Sequence, residues 1–504
     1  MKRKVDKYFD ENKANADLGR ESLHSSVVSV AGRAVNMVVQ VGSTILLARL
    51  LSPHDYGLVA MVFALLGFAP MLVDMGTTDA CVQKTRITHA EVSALFWFNV
   101  AIGGALTLVL AGGSKSIALF YGEPELAGIA LVSSLTLIVG ALSTQHYALM
   151  RRAMQFQRIA MIEISSNVIS SIIAIVMALT GWGYWALVAK PILTTGLSTL
   201  GVWLGCPWLP GRPKMTAEAK EMVGFGLNVT GFTMTDYLAR SADRIALGYL
   251  YGAGPLGYFQ NAFLLYDNLL SLLTNPLHKV AVSSLSKLRS SVSELRRSWA
   301  AALSSLSFFA SLGFAVLAVT GQDFVVILLG QKWAPAGPLL CIFAVRGIAH
   351  VIERTLGWLH VAAGRSDRWM RWGLLSAVVQ LVGVLAGLPF GVVGVAAAHT
   401  IATFALFVPA LAYSGQPFGI GPKDVLRAVG PQTVAALATV AIGYTVQNLF
   451  FLDYSELTRL VFSALVCLVT YLSLAVGVFK VTKPLLLALS LLRDLSQRRL
   501  RRSP

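Results

Sequence analysis

Charged side chains recur at helical spacing inside long apolar stretches of this sequence. Two stretches carry four such residues each: Asp236, Arg240, Asp243 and Arg244 in one, and Arg346, His350, Glu353 and Arg354 in the other. Intervals of three and four residues place the members of each set on one face of a helix. Guanidinium groups bind phosphate or carboxylate oxygens in pairs, so arginine-rich faces of this kind predict the recognition of an anion.

Polar residues interrupt three further apolar stretches: Arg33 with Asn36 and Gln40, then Glu163, then Lys190 followed by Pro191. A charged group in the middle of a bilayer costs about 2.5–3.5 kcal/mol on insertion scales, so it is expected to face a cavity or a partner. The basic residues outnumber the acidic ones. Together these residues predict a cavity with net positive charge.

Roles follow from charge and spacing. Eight residues are predicted to line the cavity and bind substrate: Arg33, Asn36, Gln40, Lys190, Arg240, Arg244, Arg346 and Arg354. Four acids are predicted charge partners or coupling groups: Glu163, Asp236, Asp243 and Glu353. A structural interpretation stands beside this one, because Asp243–Arg244 and Glu353–Arg354 fit ion pairs that fix helix packing or side chains that reach the membrane surface.

The elements that position these residues are transmembrane helices. Hydrophobic residues make up 55% of the 504 residues and charged ones only 13%, too few to cover the surface of a soluble protein. Apolar runs of about 18 to 25 residues recur throughout, which is long enough to cross a bilayer. The sequence predicts an all-α polytopic membrane protein of about fourteen spans: 26–48, 57–76, 91–113, 124–147, 159–180, 183–205, 223–248, 256–278, 299–320, 335–360, 372–390, 391–413, 429–449 and 459–479.

The basic residues predict the orientation of these spans. With the N-terminus in the cytoplasm, 31 of the 41 Lys and Arg residues fall in cytoplasmic segments, and three, Lys115, Lys332 and Arg459, fall on the opposite side. This asymmetry is typical of the positive-inside rule, so both termini are predicted to be cytoplasmic. The same asymmetry explains the net charge of +16, so nucleic acid is not predicted as a partner. Residues 285–299 and the arginine-rich tail are predicted to lie as amphipathic helices on the inner leaflet.

An internal repeat predicts the organisation of the halves. A shift of 200 residues aligns STILLARLLSPHDYGLVA (43–60) with DRIALGYLYGAGPLGYFQ (243–260). Four positions are then identical in the first and second copies: Ile45 and Ile245, Leu47 and Leu247, Leu50 and Leu250, Gly57 and Gly257. Six predicted spans separate the copies, so the halves insert in parallel and relate by a pseudo-two-fold axis along the membrane normal.

The predicted parts follow from the repeat and from the proline-rich segment CPWLPGRPKMTAEAKE. They are an N-terminal cytoplasmic tail (1–24), a six-span lobe (25–205), a cytoplasmic linker (206–221), a second six-span lobe (222–413), a two-span unit (428–479) and a basic amphipathic tail (480–504). No loop between spans is long enough for a soluble catalytic domain.

The two aligned stretches also carry a family resemblance. DRIALGYLYG followed by GPLGYFQNAF resembles the seventh and eighth helices of Wzx-type oligosaccharide flippases, and ARLLSPHDYGLVAM resembles their first loop. That family of polysaccharide transporters shares a superfamily with multidrug exporters and lipid II flippases. The resemblance implies alternating-access flipping of undecaprenyl-diphosphate-linked sugar repeat units across the bacterial inner membrane for exopolysaccharide, capsule or O-antigen synthesis. It implies no cofactor, and it suggests a polysaccharide polymerase and a chain-length regulator as partners.

Two transporter classes of the same superfamily remain as alternatives. A cation-coupled multidrug exporter should present acids in its cavity, whereas the first span here offers Arg33 and no carboxylate. A lipid II flippase for cell-wall synthesis is the second alternative, and essentiality of the gene would favour it. An enzyme is not expected, because the sequence shows no nucleophile–base arrangement and no metal-ligand cluster. Its cysteines, Cys81, Cys206, Cys341 and Cys467, are scattered without a paired spacing.

Overall fold

The regular structure described for this chain is helical. The computed structural model describes residues 20–84, 86–213, 234, 237, 240–287 and 291–486. Within these ranges, ten helical stretches are long and apolar enough to cross a membrane, one of them a 52-residue stretch that contains two successive helices. The prediction of an all-helical, multi-span membrane protein is confirmed. The count of fourteen spans stays a prediction.

Backbone contacts divide the chain into two compact units, residues 1–257 (unit 1) and 258–504 (unit 2). Unit 1 contains helices α1 Arg20–Leu50, α2 Pro53–Leu66, α3 Ala69–Asp74, α4 Thr77–Gln83, α5 His89–Gly112, α6 Ser114–Tyr121, α7 Glu125–Arg152, α8 Phe156–Leu179, α9 Trp185–Gly205 and α10 (240–251). In this unit α8 packs against α1 and α9, and α7 packs against α5 and α9. The boundary between the units falls inside α11, Ala253–Lys287.

Unit 2 continues with α12 Val292–Leu329, α13 Ala336–Glu353, α14 Leu356–Ala363, α15 Ser366–Gly387, α16 Gly391–Gly415, α17 Pro422–Phe450 and α18 Glu456–Leu472. Helix α12 packs against α13, α17 and α18, while α16 packs against α13 and α15. The predicted parts of the chain stay a prediction. Most of the two terminal tails, 1–24 and 480–504, and the second half of the linker lie outside the described residues.

The predicted second span, 57–76, contains one break and ends at a second. Helix α2 ends at Leu66, and α3 ends in a left-handed turn at Met75 and Gly76, with φ values of 43° and 67°. Pro70 in the first turn of α3 cannot donate a backbone hydrogen bond, which favours a new helix start there. Apolar periodicity extends across the first break, so it predicts one span where the backbone forms two helices.

The predicted tenth span, 335–360, is two helices. Helix α13 ends at Glu353 and α14 begins at Leu356. The hydroxyl of Thr355 donates to the Ile352 carbonyl oxygen at 2.7 Å, and the Thr355 N–H bonds the same carbonyl at 2.9 Å. This local side-chain bond tightens the chain into a turn between the helices.

The SPHDYG segment starts α2 with a complete capping box. Ser52 is the N-cap, its hydroxyl accepts the Asp55 N–H at 3.2 Å, and the Asp55 carboxylate accepts the Ser52 N–H at 2.8 Å. Pro53 occupies the first helical turn, where its missing N–H costs nothing. The Tyr56 hydroxyl donates to the Thr44 carbonyl oxygen of α1 at 3.4 Å. The motif therefore fixes the sharp turn between α1 and α2.

Two glycines that the 200-residue shift aligns make a reciprocal close contact. A Cβ atom placed on Gly57 would lie 1.7 Å from the Ala253 carbonyl oxygen, and one placed on Gly257 would lie 1.9 Å from the Pro53 carbonyl oxygen. Pro53 and Ala253 are themselves 200 residues apart. Only glycine permits this approach of two backbones. The contact fits the predicted repeat, whose two-fold symmetry stays a prediction.

The described part of the predicted linker is held firmly to unit 1. The Trp208 side chain is 1% exposed and belongs to an apolar core with residues of α5, α7 and α9. Trp97 Nε1 donates to the Gly211 carbonyl oxygen at 2.8 Å, and the Gly211 N–H donates to the Ser93 hydroxyl at 2.9 Å. Residues 206–211 are therefore bound to the base of α5.

A buried ion pair joins α18 to α12. The Asp323 side chain is 2% exposed, and its two carboxylate oxygens accept hydrogen bonds from Arg459 Nε at 2.8 and 2.9 Å. Gln447 Nε2 of α17 donates to the same carboxylate at 3.0 Å. Three helices thus meet at one carboxylate.

Candidate functional site

Unit 1 contains a polar seam between α1 and α8. The side-chain amide of Asn167 donates to the side-chain and backbone oxygens of Asn36. The Ser171 hydroxyl donates to Asn167 Oδ1 at 3.4 Å. Buried amides need such partners, because burying a polar group without a hydrogen bond costs free energy on the order of several kcal/mol. The predicted site residue Asn36 is therefore held in a defined orientation by Asn167.

Lys190 lies on α9 beside the same seam. Its Nζ donates to the Ser43 hydroxyl of α1 at 2.6 Å, and no carboxylate of the described residues pairs with it. The Thr194 hydroxyl donates to the Lys190 carbonyl oxygen at 2.8 Å and lies 2.6 Å from the Ser170 hydroxyl, which links α9 to α8. An ammonium group has three donors, so Lys190 retains hydrogen-bonding capacity for a ligand.

The structure describes the other predicted site residues of unit 1 to different extents. Arg33 lies in α1, and its side chain is outside the described part. Gln40 has an exposed side chain, while its carbonyl oxygen accepts the hydroxyls of Ser43 and Thr44 at 2.9 and 2.8 Å. Glu163 lies half-exposed on α8.

The charges of the seventh predicted span occupy different environments. The Asp243 side chain is 4% exposed and that of Arg244 21%, whereas Arg240 is exposed. The Arg244 N–H donates to the Asp243 carboxylate at 2.7 Å, and the two side chains approach to 3.8 Å. Asp236 is outside the described residues. The structure therefore holds Asp243 and Arg244 together inside unit 1.

Unit 2 contains a second buried cation. Arg346 on α13 is 8% exposed; its Nε donates to the Thr403 hydroxyl of α16 at 2.9 Å, and its guanidinium carbon lies 5.9 Å from the Tyr266 ring centre. No carboxylate of the described residues pairs with Arg346. The Nη groups of the fork remain available to bind an anion.

Further titratable side chains surround Tyr266. The Tyr266 hydroxyl and His350 Nδ1 are hydrogen-bonded, and their rings stack with centres 6.1 Å apart. Arg354 donates to Asp267 at 2.7 Å across α13 and α11. A Glu353–Arg354 ion pair was one structural alternative from the sequence; the acid that the structure shows paired with Arg354 is Asp267. Glu353 is half-buried at the end of α13.

Sequence reasoning missed three residues that organise these sites. Asn167, Thr403 and Tyr266 hold Asn36, Arg346 and His350 respectively. The serine-rich run around Asn167, SSNVISS, was a usable signal, because small polar residues on a transmembrane helix often face another helix. Within the described ranges, no group of three or more His, Cys, Asp or Glu side chains is placed to hold a metal ion.

The sequence profile of the family described as "Polysaccharide biosynthesis protein" matches residues 46–338. The lipopolysaccharide biosynthesis protein WzxC of Escherichia coli (strain K12) is 25% identical over 347 residues, 68% of this chain and 70% of WzxC. The succinoglycan biosynthesis transport protein ExoT of Rhizobium meliloti (strain 1021) is 24% identical over 349 residues, 68% of this chain and 69% of ExoT.

The fold is similar to that of solved transporter structures. The lipid II flippase MurJ, in an inward closed conformation, superposes with a TM-score of 0.72 at 15% identity, covering 90% of this chain and 99% of MurJ. The multidrug transporter DinF-BH superposes with a TM-score of 0.51 at 14% identity, covering 79% of this chain and 95% of DinF-BH. At these identities the likeness is one of fold.

Proposed function

Because this chain belongs to the polysaccharide biosynthesis protein family, we propose that it is a lipid-linked oligosaccharide flippase. Its passenger is an undecaprenyl-diphosphate-linked repeat unit, moved across the bacterial inner membrane for exopolysaccharide, capsule or O-antigen synthesis. The names of WzxC and ExoT, which refer to lipopolysaccharide and succinoglycan biosynthesis, support this class of substrate.

One observation carries the proposal: each unit holds a cation in a membrane-spanning helix whose described hydrogen-bond partner is a hydroxyl. Lys190 meets Ser43 in unit 1, and Arg346 meets Thr403 in unit 2. A charge at this depth without an opposite charge is costly, at about 2.5–3.5 kcal/mol on insertion scales. An anionic diphosphate would supply such a charge to either cation: the guanidinium fork of Arg346 can bind phosphate oxygens in pairs, and the ammonium group of Lys190 offers a point charge.

Neutral polar groups of unit 1 fit the sugar part of such a passenger. Asn36 is oriented by Asn167, and Gln40 exposes its amide one helical turn further along α1. Amides donate and accept hydrogen bonds, as sugar hydroxyls do. The remaining predicted cavity residues, Arg33, Arg240, Arg244 and Arg354, belong to the proposal as secondary cations.

The transport cycle is also part of the proposal. The passenger's headgroup occupies the cationic cavity predicted from the sequence, its lipid tail stays in the bilayer, and access alternates between the two membrane faces. No covalent chemistry and no cofactor are required. Both termini are cytoplasmic. The candidates for coupling transport to an ion are Glu163, Asp236, Asp243 and Glu353. A polysaccharide polymerase with its chain-length regulator uses the product.

Arg346 and Lys190 provide the test. We expect Arg346→Ala and Lys190→Ala to abolish polysaccharide export in a deletion strain while protein abundance in the membrane is unchanged. Arg346→Lys, which keeps the charge but loses the fork, should restore part of the export. Lys115→Ala is the matched control, because Lys115 is an exposed cation outside the candidate site.

Three outcomes would overturn the proposal. Normal export from both alanine variants would remove these cations from the substrate path. A deletion strain with normal polysaccharide but altered drug susceptibility would favour a multidrug exporter, and arrested cell-wall synthesis on depletion would favour a lipid II flippase.

A further inference from the structure

Three segments of unit 2 meet at one end of the helices. Arg296 of α12 donates to the Phe418 carbonyl oxygen at 2.5 Å, and Arg368 of α15 donates to the Tyr413 carbonyl oxygen of α16 at 2.8 Å. The chain between α16 and α17 turns through a short 3₁₀ helix and through Gly419, whose φ is 63°. Two arginines therefore hold this connection against the start of α12 and the start of α15.

Tyr413 is the centre of the cluster. The Arg368 guanidinium carbon lies 4.2 Å from the centre of the Tyr413 ring, and the Trp372 ring stacks on it at 5.5 Å. Arg368 also donates to Gln416 Oε1 at 2.7 Å. A cation placed over an aromatic face is stabilised there, and these contacts fix Arg368 in one orientation. The Tyr413 hydroxyl makes no hydrogen bond with any residue in the described ranges.

A cavity of about 450 Å³ opens beside this cluster. Its lining residues are Ala412, Tyr413, Gln416, Gly419, Ile420, Gly421 and Pro422. The walls therefore combine an aromatic ring, an amide and exposed backbone, with Arg368 held next to them. This is the chemistry of a site for a polar headgroup that carries a negative charge.

Two arginines contact residues that line the cavity: Arg368 bonds Tyr413 and Gln416, and Arg296 lies against Gly419. Lys423 follows the lining residue Pro422 in the chain and is exposed. The Asp424 carboxylate accepts the Gly421 N–H at 2.9 Å. Among the described residues, the cavity wall therefore adjoins two guanidinium groups and one carboxylate, which already accepts a backbone hydrogen bond.

We propose that this cavity binds the headgroup phosphate of an anionic glycerophospholipid from the surrounding membrane. The positive-inside count predicts that this end of unit 2 is cytoplasmic, and the cytoplasmic leaflet carries the negative surface potential. Trp372 and Tyr413 are of the residue types enriched where hydrocarbon meets headgroups. None of the residues predicted to bind the passenger lines this cavity, so the proposal assigns it to a resident lipid.

The experiment measures lipid retention by the purified full-length protein. Native mass spectrometry in detergent, titrated with phosphatidylglycerol or phosphatidylcholine, gives the apparent affinity for each lipid. We expect Arg368→Gln to weaken phosphatidylglycerol binding about tenfold, the loss of one charge-assisted contact. Tyr413→Phe keeps both ring contacts and removes only the hydroxyl, so it should fold normally and weaken binding about threefold.

A matched pair of double variants separates a site from a general charge effect. Lys423→Gln with Arg427→Gln removes two exposed cations in the first turns of α17, which begins at the lining residue Pro422, and Arg151→Gln with Arg158→Gln removes two exposed cations in unit 1. The first pair should weaken phosphatidylglycerol binding at least several-fold more than the second.

Three results would overturn the inference. Equal losses in the two double variants would show attraction by charge alone. Retention of undecaprenyl diphosphate, with no preference for phosphatidylglycerol over phosphatidylcholine, would assign the cavity to the passenger. Saturation by inorganic phosphate, with no preference for the lipid, would make it a free-anion site. None of these results depends on whether the protein exports polysaccharide.

Discussion

Arg346 and Lys190 meet hydroxyl groups in the described structure, and each hydroxyl is buried or nearly so. Thr403 is fully buried and Ser43 is 4% exposed. A neutral hydroxyl orients a cation without neutralising it, whereas a carboxylate would compete with an anionic ligand for it. At the scale of single residues, these hydroxyls are therefore positioning groups for the two proposed phosphate-binding cations.

Thr403 offers the sharpest test at this scale. Thr403→Val keeps the shape of the side chain and removes the acceptor of Arg346 Nε, so we expect a loss of about 1.5–3 kcal/mol in the free energy of unfolding and reduced export. Thr403→Ser keeps the hydroxyl and should retain most of both. Thermal unfolding of the purified protein and an export assay measure the two effects. A serine variant worse than the valine variant would contradict the assignment.

At the scale of elements, Asp323 joins three helices by its two carboxylate oxygens. Removing one member of a buried ion pair leaves an unpaired charge, so we expect Asp323→Ala to lower the free energy of unfolding by about 3–5 kcal/mol. Arg459→Leu combined with Asp323→Leu should recover much of that loss, because neither charge then remains. A double-mutant cycle measured by chemical unfolding in detergent gives the coupling, and strictly additive effects would refute it.

The glycine contact between the start of α2 and the start of α11 is a second property of the elements. Gly257→Ala places a methyl group 1.9 Å from the Pro53 carbonyl oxygen, so the backbones must separate. We expect a lowered melting temperature and a large loss of export. Gly254→Ala is the matched control in the same helical turn, since a Cβ there meets nothing within 4 Å. If both variants behave alike, the close approach has no role.

At the scale of the whole molecule, the family match confirms the resemblance predicted from two short motifs and the proposed membership among polysaccharide transporters. The orientation of the termini stays a prediction. A fluorescent protein that folds only in the cytoplasm should fluoresce when it is fused after Pro504. Alkaline phosphatase, which is active only on the opposite side of the membrane, should be active when it is fused after Lys115. The opposite pattern would reverse the topology and would place the proposed lipid site in the outer leaflet.

Much of the architecture follows from local properties of the sequence. Apolar runs locate α5, α7, α8 and α9 to within a few residues, because a helix in a membrane must satisfy its own backbone hydrogen bonds. Apolar runs do not locate local breaks in a helix. Pro70 lies just after a break within the second span, the left-handed Met75 lies at the end of that span, and Thr355 ends α13 early. Such breaks leave hydropathy almost unchanged, so periodicity does not reveal them.

The candidate site was also predictable only in part. A charge inside an apolar stretch was enough to single out Lys190 and Arg346, since burying an ionisable group in a membrane is costly wherever it lies. Their partners were not predictable. Ser43 is 147 residues from Lys190, and Asp267 is 87 residues from Arg354. The sequence by itself determined that the protein is a helical membrane protein with cationic residues in its spans. Only the tertiary structure decided which of the described charges pair with a carboxylate and which meet a hydroxyl, because that depends on helices packed together from distant parts of the chain.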